Sequence, residues 1–194
     1  MLNTLSHSYG LSLDDVSWFN QEQALIPNLE LESWLLNTGS LTQRLQGHCQ
    51  DFKVQVVSQK QGVANADEYK QLATPFASQC AQQWQIREVI LHGDNQPWVF
   101  ARSIIPQALC EADFLNLGDK PLGHLIFNDD RFKRQPFQLT CIQPNDTFIA
   151  EYGDAPLAKI WGRRSVFRFQ QHAMMVAEVF LPQAPAYRDL NLDQ

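Results

Sequence analysis

WQIREVILHGDNQPWVFARSII, residues 84–105, contains two runs of β-branched and aromatic residues on either side of a turn-forming segment. The runs span residues 84–92 and 98–105, and residues 93–97 between them combine Gly, Asp, Asn and Pro. This pattern is typical of two antiparallel strands joined by a tight turn. The segment therefore predicts a β-hairpin in the middle of the chain.

A second hairpin is predicted near the end of the chain, where residues 161–169 and 173–181 flank a turn at 170–172. Alternating apolar and polar residues at 52–56 and 137–142 predict two further strands. The predicted helices cluster between strands, and no strand–helix–strand alternation is present. This arrangement predicts an α+β fold with a central antiparallel β-sheet and helices packed on one face.

Helix signals occur between the predicted strands. Asn28 and Ser40 each precede a helical stretch at the position of a capping residue. Further helices are predicted near residues 67–72, 111–117 and 121–127. The stretches without such signals are predicted as a polar surface segment over the rest of 58–83, a loop over 143–158 and an extended tail after Pro182.

Composition and charge limit the classes of function. The 194 residues include 15 Lys and Arg against 21 Asp and Glu, a net charge of −6. This balance argues against nucleic acid as a partner, because phosphate binding needs clustered Lys and Arg. No apolar run reaches the roughly 18–20 residues of a membrane span, and the start MLNTLSHSYG lacks the basic and apolar regions of a signal peptide. We expect one cytoplasmic domain over residues 1–194, present as a monomer.

Metal and nucleotide motifs are absent from the sequence. The four cysteines form no CxxC pair, and the five histidines form no HxH, HxxxH or HExxH motif. Sequences of the GxSxG, GxGxxG and Walker types are also missing. We therefore expect no metal site and no cofactor, so that any chemistry depends on ordinary side chains.

Two charged residues lie in apolar rows of the predicted strands. Residues two apart in a strand share a face, so Arg87 lies beside Val89 and Leu91, and Glu178 falls in a similar row of the last strand. A buried charge costs on the order of several kcal/mol unless it is paired and hydrogen-bonded. Either these residues form structural ion pairs, or they line an enclosed pocket. There Arg87 would hold a ligand carboxylate and Glu178 would contact a hydroxyl or ether oxygen.

Three other charged residues have simpler interpretations. Arg163 and Arg164 are adjacent, so they point to opposite faces of their strand, and at least one of them is expected to be a solvated surface charge. Glu88 lies on the face opposite Arg87 and is predicted to pair with a cation within the sheet.

Short motifs in a fixed order cover roughly residues 30–187. They are WLL at 34–36, GSLTQRL at 39–45, REVIL at 87–91, GD at 93–94 with PW at 97–98, ARSIIP at 101–106, KPLG at 120–123, WGRRS at 161–165 and EVFLP at 178–182. With these motifs in this order, the chain resembles the chorismate–pyruvate lyases, enzymes that make 4-hydroxybenzoate for ubiquinone. Arg87 and Glu178 each lie inside one of the motifs.

The resemblance implies a central antiparallel sheet with an internal ligand site closed by helical flaps. Arg87 matches the arginine that holds the ring carboxylate of the substrate, and Glu178 matches the glutamate that contacts the 4-oxygen. Leu41 and Leu122 match flap positions whose backbone groups touch the ligand. The implied reaction converts chorismate to 4-hydroxybenzoate and pyruvate, without metal or cofactor, as the first committed step of ubiquinone biosynthesis. Arg87 would hold the substrate in a reactive conformation, and Glu178 would stabilise charge that develops on the ether oxygen.

Two points stay open at the level of sequence. The group that binds the side-chain carboxylate is not identified, and Arg163, Arg164 and Lys120 are the candidates. Residues 128–160 are longer than the connection expected of compact family members and predict an added loop around Pro144–Pro156, which leaves the geometry of the flaps open. A different class of function is a non-catalytic domain of the same fold that binds a small carboxylate effector, as in the ligand domains of some transcription regulators.

Overall fold

The computed structural model describes residues 13, 16–73, 83–110, 126, 131–152 and 159–191. Within these residues the strands are β1 Phe19–Asn20, β2 Phe52–Gly62, β3 Trp84–Gly93, β4 Gln96–Pro106, β5 Lys133–Arg134, β6 Gln138–Ile142, β7 Ile160–Phe169 and β8 His172–Phe180. The helices are α1 Leu29–Leu35, α2 Leu41–Gln46, α3 Ala66–Leu72, α4 Gln107–Leu109 and α5 Asp146–Tyr152, with 3-10 helices at Gln21–Gln23 and Pro185–Asn191.

All of these strands belong to one antiparallel sheet. Its order is β1-β6-β7-β8-β4-β3-β2, and β5 also pairs with β7. The two predicted hairpins, β3–β4 and β7–β8, meet where β4 pairs with β8. The α+β class with a central antiparallel sheet is therefore confirmed.

The β3–β4 turn depends on left-handed backbone conformations. Asp94 and Asn95 have φ values of 49° and 66°, and Asn and Asp adopt this region more readily than most residues. Gly93, just before them, pairs with Gln96, and a Cβ atom at Gly93 would lie 2.1 Å from the ring of Trp98. The sequence GDNQPW thus fixes a two-residue turn and allows the tryptophan to pack across it.

Side-chain caps begin helices α1, α2 and α3. The Asn28 side chain accepts a hydrogen bond from the amide of Leu31, and Ser40 Oγ accepts one from the amide of Gln43. At α3 the Asn65 and Glu68 side chains and backbone amides bond reciprocally. These bonds satisfy amides that have no partner inside the helix, and they confirm the helix starts predicted at Asn28 and Ser40.

Helices cover both faces of the sheet. α1 and α2 pack on the face that carries Val89 and Leu91, whereas α3 and α5 pack on the face that carries Ile86 and Ile90. The prediction of helices on one face only is wrong, because β3 and β4 are apolar at successive positions and need cover on both sides.

An ionic cluster anchors α3 to the sheet. Arg102 of β4 donates through Nε to Glu68 Oε1 over 2.9 Å and through Nη1 to Glu88 Oε1 over 2.8 Å. All three residues are buried. The prediction that Glu88 pairs with a cation in the sheet is confirmed, and Arg102 is that cation.

Strand β2 is longer than predicted, since it continues from the alternating segment to Gly62. A β-bulge lies between Val56 and Ser58, so Val56 faces Val89 and, past the bulge, Gln59 faces Arg87. The extra residue exchanges the faces occupied by odd and even positions. The alternation of apolar and polar residues is interrupted at the bulge. For this reason the second half of β2 resembles a polar surface segment in the sequence.

Two segments predicted as irregular are helical. Residues 146–152 form α5, whose Phe148 and Tyr152 pack into the core, so the prediction of a loop over all of 143–158 is wrong. The tail forms a 3-10 helix in which Tyr187 Oη accepts from the Trp161 amide and donates to the Phe180 carbonyl. Burial raises the pKa of Tyr187 well above its usual range. The helices predicted near 111–117 and 121–127 lie outside the described residues.

Candidate active site

An enclosed cavity lies between the sheet and helix α2. Its volume is about 60 Å³, less than the roughly 150 Å³ cavity that accommodates benzene in an engineered protein. A ring-sized ligand therefore needs α2 or the lining side chains to move outward. The lining residues are Leu41, Thr42, Val54, Arg87, Val89, Leu91, Ala101, Ser103, Ile126, Arg134, Phe137, Ser165, Phe167, Val176 and Glu178.

Strand register places Arg87 on the floor of this cavity. Arg87 of β3 lies opposite Ser103 of β4. Continuing across the sheet, Ser103 lies opposite Val176 of β8, and Val176 lies opposite Ser165 of β7. Residues directly opposite each other share a face of the sheet. Arg87 is buried, and its Nη1 donates to Gln59 Oε1 over 3.4 Å. The row thus combines one cation with two hydroxyl groups.

Glu178 lies in the next row along the strands. It is opposite Ala101 of β4 on one side and Arg163 of β7 on the other. Two strand spacings of about 4.8 Å and two residues of about 3.4 Å separate the Cα atoms of Arg87 and Glu178 by about 12 Å. Their long side chains project into the space between these points, so one ligand can contact both.

The partner of Glu178 is Arg163. Arg163 Nε donates to Glu178 Oε2 over 2.7 Å, which is the structural ion pair that the strand pattern allowed. The side chain of Glu178 is still 19% exposed and faces the cavity. Within the described residues, Oε1 of Glu178 makes no hydrogen bond, so this oxygen is available to a ligand.

Arg163 also holds the linker in front of α2. Its Nη1 donates to the carbonyl oxygens of Trp34 and Asn37 over 2.9 and 2.8 Å, and only 1% of the residue is exposed. A single guanidinium therefore connects Glu178 to the segment that precedes α2.

The prediction that Arg163 or Arg164 is a solvated surface charge is wrong. Arg164 is also buried, on the opposite face of β7, where it pairs with Asp67 of α3 and donates through Nε to Gln138 Oε1 over 2.8 Å. The adjacent arginines do point to opposite faces, but helices cover both faces. Neither residue lines the cavity.

The described ranges contain neither a candidate metal-binding cluster nor a candidate membrane-spanning helix. In residues 16–73, 83–110, 131–152 and 159–191, no group of three or more His, Cys, Asp or Glu side chains is placed to hold a metal ion. None of the helices in the same ranges is long and apolar enough to cross a membrane.

A family model described as chorismate lyase matches residues 12–190. The chain belongs to the chorismate lyase family. A protein of Pseudoalteromonas atlantica named "Probable chorismate pyruvate-lyase" is 70% identical over 194 residues, which is 100% of both chains. A protein of the same name from Shewanella sp. strain MR-4 is 39% identical over 207 residues and covers 99% of each chain. The resemblance drawn from the motifs is confirmed.

Solved structures support the fold. The effector domain of PhnF from Mycobacterium smegmatis superposes with a TM-score of 0.57, at 13% identity, over 76% of this chain and 91% of that one. At this identity the likeness concerns the fold alone.

The structure brings together three of the four site residues that the family motifs predicted. Arg87 and Glu178 line the cavity from the sheet, and Leu41, the first residue of α2, lines it from the helix. Leu122 lies outside the described residues. Their assignment as chorismate lyase site residues remains a prediction.

The sequence reasoning missed other polar residues of the cavity. Ser103 and Ser165 line it beside Arg87, and Arg134 lines it from β5. Ser103 was not detectable from the hairpin alone, because regular pairing around the turn at Asp94 and Asn95 would place Arg102 opposite Arg87. The register shift between Leu91 and His92 places Ser103 there instead. Arg134 was not detectable either, since β5 has two residues and gives no alternation to interpret.

Proposed function

We propose that this protein is a chorismate–pyruvate lyase that converts chorismate to 4-hydroxybenzoate and pyruvate. The observation that carries the proposal is the placement of Arg87 and Glu178 in one enclosed cavity, in neighbouring rows of the sheet. The names of the relatives at 70% and 39% identity support the same reaction.

The reaction balances without a further reactant. The bond between ring carbon C3 and the ether oxygen breaks, the ring loses a proton from C4 and becomes aromatic, and the methylene carbon of the enolpyruvyl group gains a proton to give pyruvate. Aromatisation supplies the driving force. The protein has to orient the substrate and stabilise charge on the departing oxygen, and for that reason we expect no cofactor.

The two charged residues have complementary roles in this proposal. Arg87 binds the ring carboxylate with paired N–H donors in a site that excludes water, where such bonds are strong. Glu178 contacts the 4-oxygen through Oε1 while Arg163 holds Oε2. The 4-oxygen and the ether oxygen are on adjacent ring carbons, so Glu178 also lies against the bond that breaks.

The flap isolates the reaction from water. Leu41 begins α2 at the edge of the cavity, and Leu122 is assigned the equivalent position on a second flap by its motif. Since the product keeps both the carboxylate and the 4-oxygen, it retains the contacts to Arg87 and Glu178. Opening of the flap for product release therefore limits turnover in this proposal. The wider role is the supply of 4-hydroxybenzoate for ubiquinone by a cytoplasmic monomer.

The competing function is effector binding without chemistry. It is favoured by one specific observation, the similarity of the fold to the effector domain of PhnF. A binding domain would use the same cavity and the same arginine, so the two functions differ in turnover and not in affinity.

The experiment incubates the purified protein with chorismate and measures 4-hydroxybenzoate and pyruvate by chromatography against a sample without enzyme. We expect equal amounts of both products and loss of turnover in Arg87→Ala. The matched control is Arg168→Ala, an arginine of β7 that donates to the Gln71 and Ala73 carbonyls away from the cavity, and we expect it to keep its activity. Saturable binding of 4-hydroxybenzoate without turnover would instead assign effector binding.

A further inference from the structure

Two cations among the described residues line the enclosed cavity, and they lie on opposite sides of Glu178. Arg87 is on β3, Glu178 is on β8, and Arg134 is on β5 beyond β7. Arg134 lies opposite Phe167 in the β5–β7 pair, and Phe167 is itself a cavity residue. The order across the sheet is therefore cation, carboxylate, cation.

The guanidinium of Arg134 is held in place by its surroundings. It lies 4.9 Å from the ring centroid of Phe137 and 4.9 Å from that of Phe167, and Nη1 donates to the Thr38 carbonyl over 3.0 Å. Ring faces attract a cation, and the charge of Glu178 also favours the protonated guanidinium. Burial, followed by the nearby charge of Arg163, lowers the pKa of Arg134 to about 10, so the group is still positive at neutral pH.

The other candidate cations for a second carboxylate have different surroundings. Arg163 is bonded to Glu178 and to backbone carbonyls beneath the flap linker, and Arg164 is on the opposite face of the sheet with Asp67. Lys120 lies outside the described residues. Arg134 also lines a second, more open cavity.

We propose that Arg134 binds the carboxylate of the enolpyruvyl group of the substrate. This inference rests on the proposed function. Chorismate has one carboxylate on the ring and another at the end of the side chain that leaves, with the 4-oxygen near that side chain. The spatial order of the residues across the sheet is Arg87, Glu178, Arg134. It matches the order of the ring carboxylate, the 4-oxygen and the side-chain carboxylate in chorismate.

The assignment makes Arg134 the residue that distinguishes substrate from aromatic product. 4-Hydroxybenzoate has only the ring carboxylate, so it has no group for Arg134 to bind. Removal of the charge should weaken the interaction with chorismate and leave the affinity for 4-hydroxybenzoate almost unchanged. A purely structural role in holding the flap linker would weaken both to a similar extent.

The test uses Arg134→Gln, which keeps a donor for the Thr38 carbonyl, and Arg134→Lys, which keeps the charge. The matched control is Lys133→Gln, which removes one charge from the neighbouring exposed side chain. Steady-state turnover of chorismate and titration with 4-hydroxybenzoate are measured on the same preparations. We expect kcat/KM for chorismate to fall roughly 10- to 100-fold in Arg134→Gln, with less than about a threefold change in the dissociation constant of 4-hydroxybenzoate. Arg134→Lys should recover part of the loss, and Lys133→Gln should resemble the unaltered protein.

Each failure has a separate meaning. An unchanged kcat/KM in Arg134→Gln, or equal losses for chorismate and 4-hydroxybenzoate, overturns the role of Arg134 while the lyase activity of the unaltered protein stands. The absence of turnover in the unaltered protein overturns the proposed function itself. A thermal unfolding curve for every variant shows whether a loss comes from folding, and in that case Arg134→Lys decides the question.

Discussion

The two faces of the central sheet both bury arginines, and Arg102 on one face has different surroundings from Arg87 on the other. On the face under α3, Arg102 is enclosed by two carboxylates, Glu68 and Glu88, within 3 Å. On the face under α2, Arg87 lines a cavity, and its Nη1 donates to Gln59 over 3.4 Å. A buried charge packed between two carboxylates holds the fold together, whereas one that lines a cavity lies within reach of a ligand.

This comparison predicts the largest effect on stability at Arg102. Arg102→Met removes the cation and leaves two buried carboxylates facing each other, so we expect the free energy of unfolding to fall by about 3–5 kcal/mol. Urea unfolding followed by tryptophan fluorescence measures the change. A loss below about 1 kcal/mol would mean that the cluster contributes little and that the two faces do not differ as described.

The matching change on the other face is Arg87→Met, and its effect should appear in activity. We expect kcat/KM for chorismate to fall by at least 100-fold, because a buried charged hydrogen-bond pair to substrate is lost, while the free energy of unfolding changes by less than about 1 kcal/mol. The same urea titration and the chorismate assay are used. A large loss of stability with no soluble, binding-competent protein would assign Arg87 to the fold.

An intermediate effect is expected at the edge of the structural face. Asp67 pairs with Arg164, but its side chain is 53% exposed, so water screens the interaction. We expect Asp67→Asn to lower the free energy of unfolding by about 1 kcal/mol or less and to leave chorismate turnover unchanged. A stability loss as large as that of Arg102→Met would show that partial exposure does not weaken the pair.

The smallest effect concerns two histidines outside both clusters. Burial lowers the pKa values of His48 and His92, helped by Arg188 and Arg44 at His48 and by Lys53 at His92. A base whose pKa is lowered by folding takes up protons more readily when unfolded, so its contribution to stability is lost as the pH falls below about 6.5. We expect the difference in unfolding free energy between pH 7.5 and pH 5.5 to be smaller in the double variant His48→Gln, His92→Gln. An equal difference in both proteins would refute this.

The sequence predicted the hairpins, the helix caps and the two misplaced charges, because each depends on local pattern. Glu88 was correctly predicted to pair with a cation, because it lies on the face of the strand opposite Arg87. What the sequence could not predict depends on long-range packing. The buried state of both Arg163 and Arg164 requires helices on both faces, and the extent of β2 is hidden by the bulge at Val57, which changes the phase of the pattern.

The residues of the candidate site also divide into those that local pattern predicted and those that depend on strand pairing. Arg87, Glu178 and Leu41 were found by pattern and family motif, and they meet in one cavity. The Arg163–Glu178 pair lies inside the predicted second hairpin, but it depends on a register set by a two-residue turn, with Phe169 opposite His172. The position of Arg134 follows only from the pairing of β5 with β7. Strand order is set by the whole sheet, and a local pattern contains no information about it.

The bulge in β2 also affects how the edge of the sheet can pair with another strand. β2 is at one end of the strand order, so its outer backbone N–H and C=O groups are a template on which another chain could add a strand. The irregularity between Val56 and Ser58, with Lys53 and Lys60 on the same strand, makes that edge a poor template. The residue insertion that aligns Gln59 with Arg87 therefore also discourages open-ended β-aggregation.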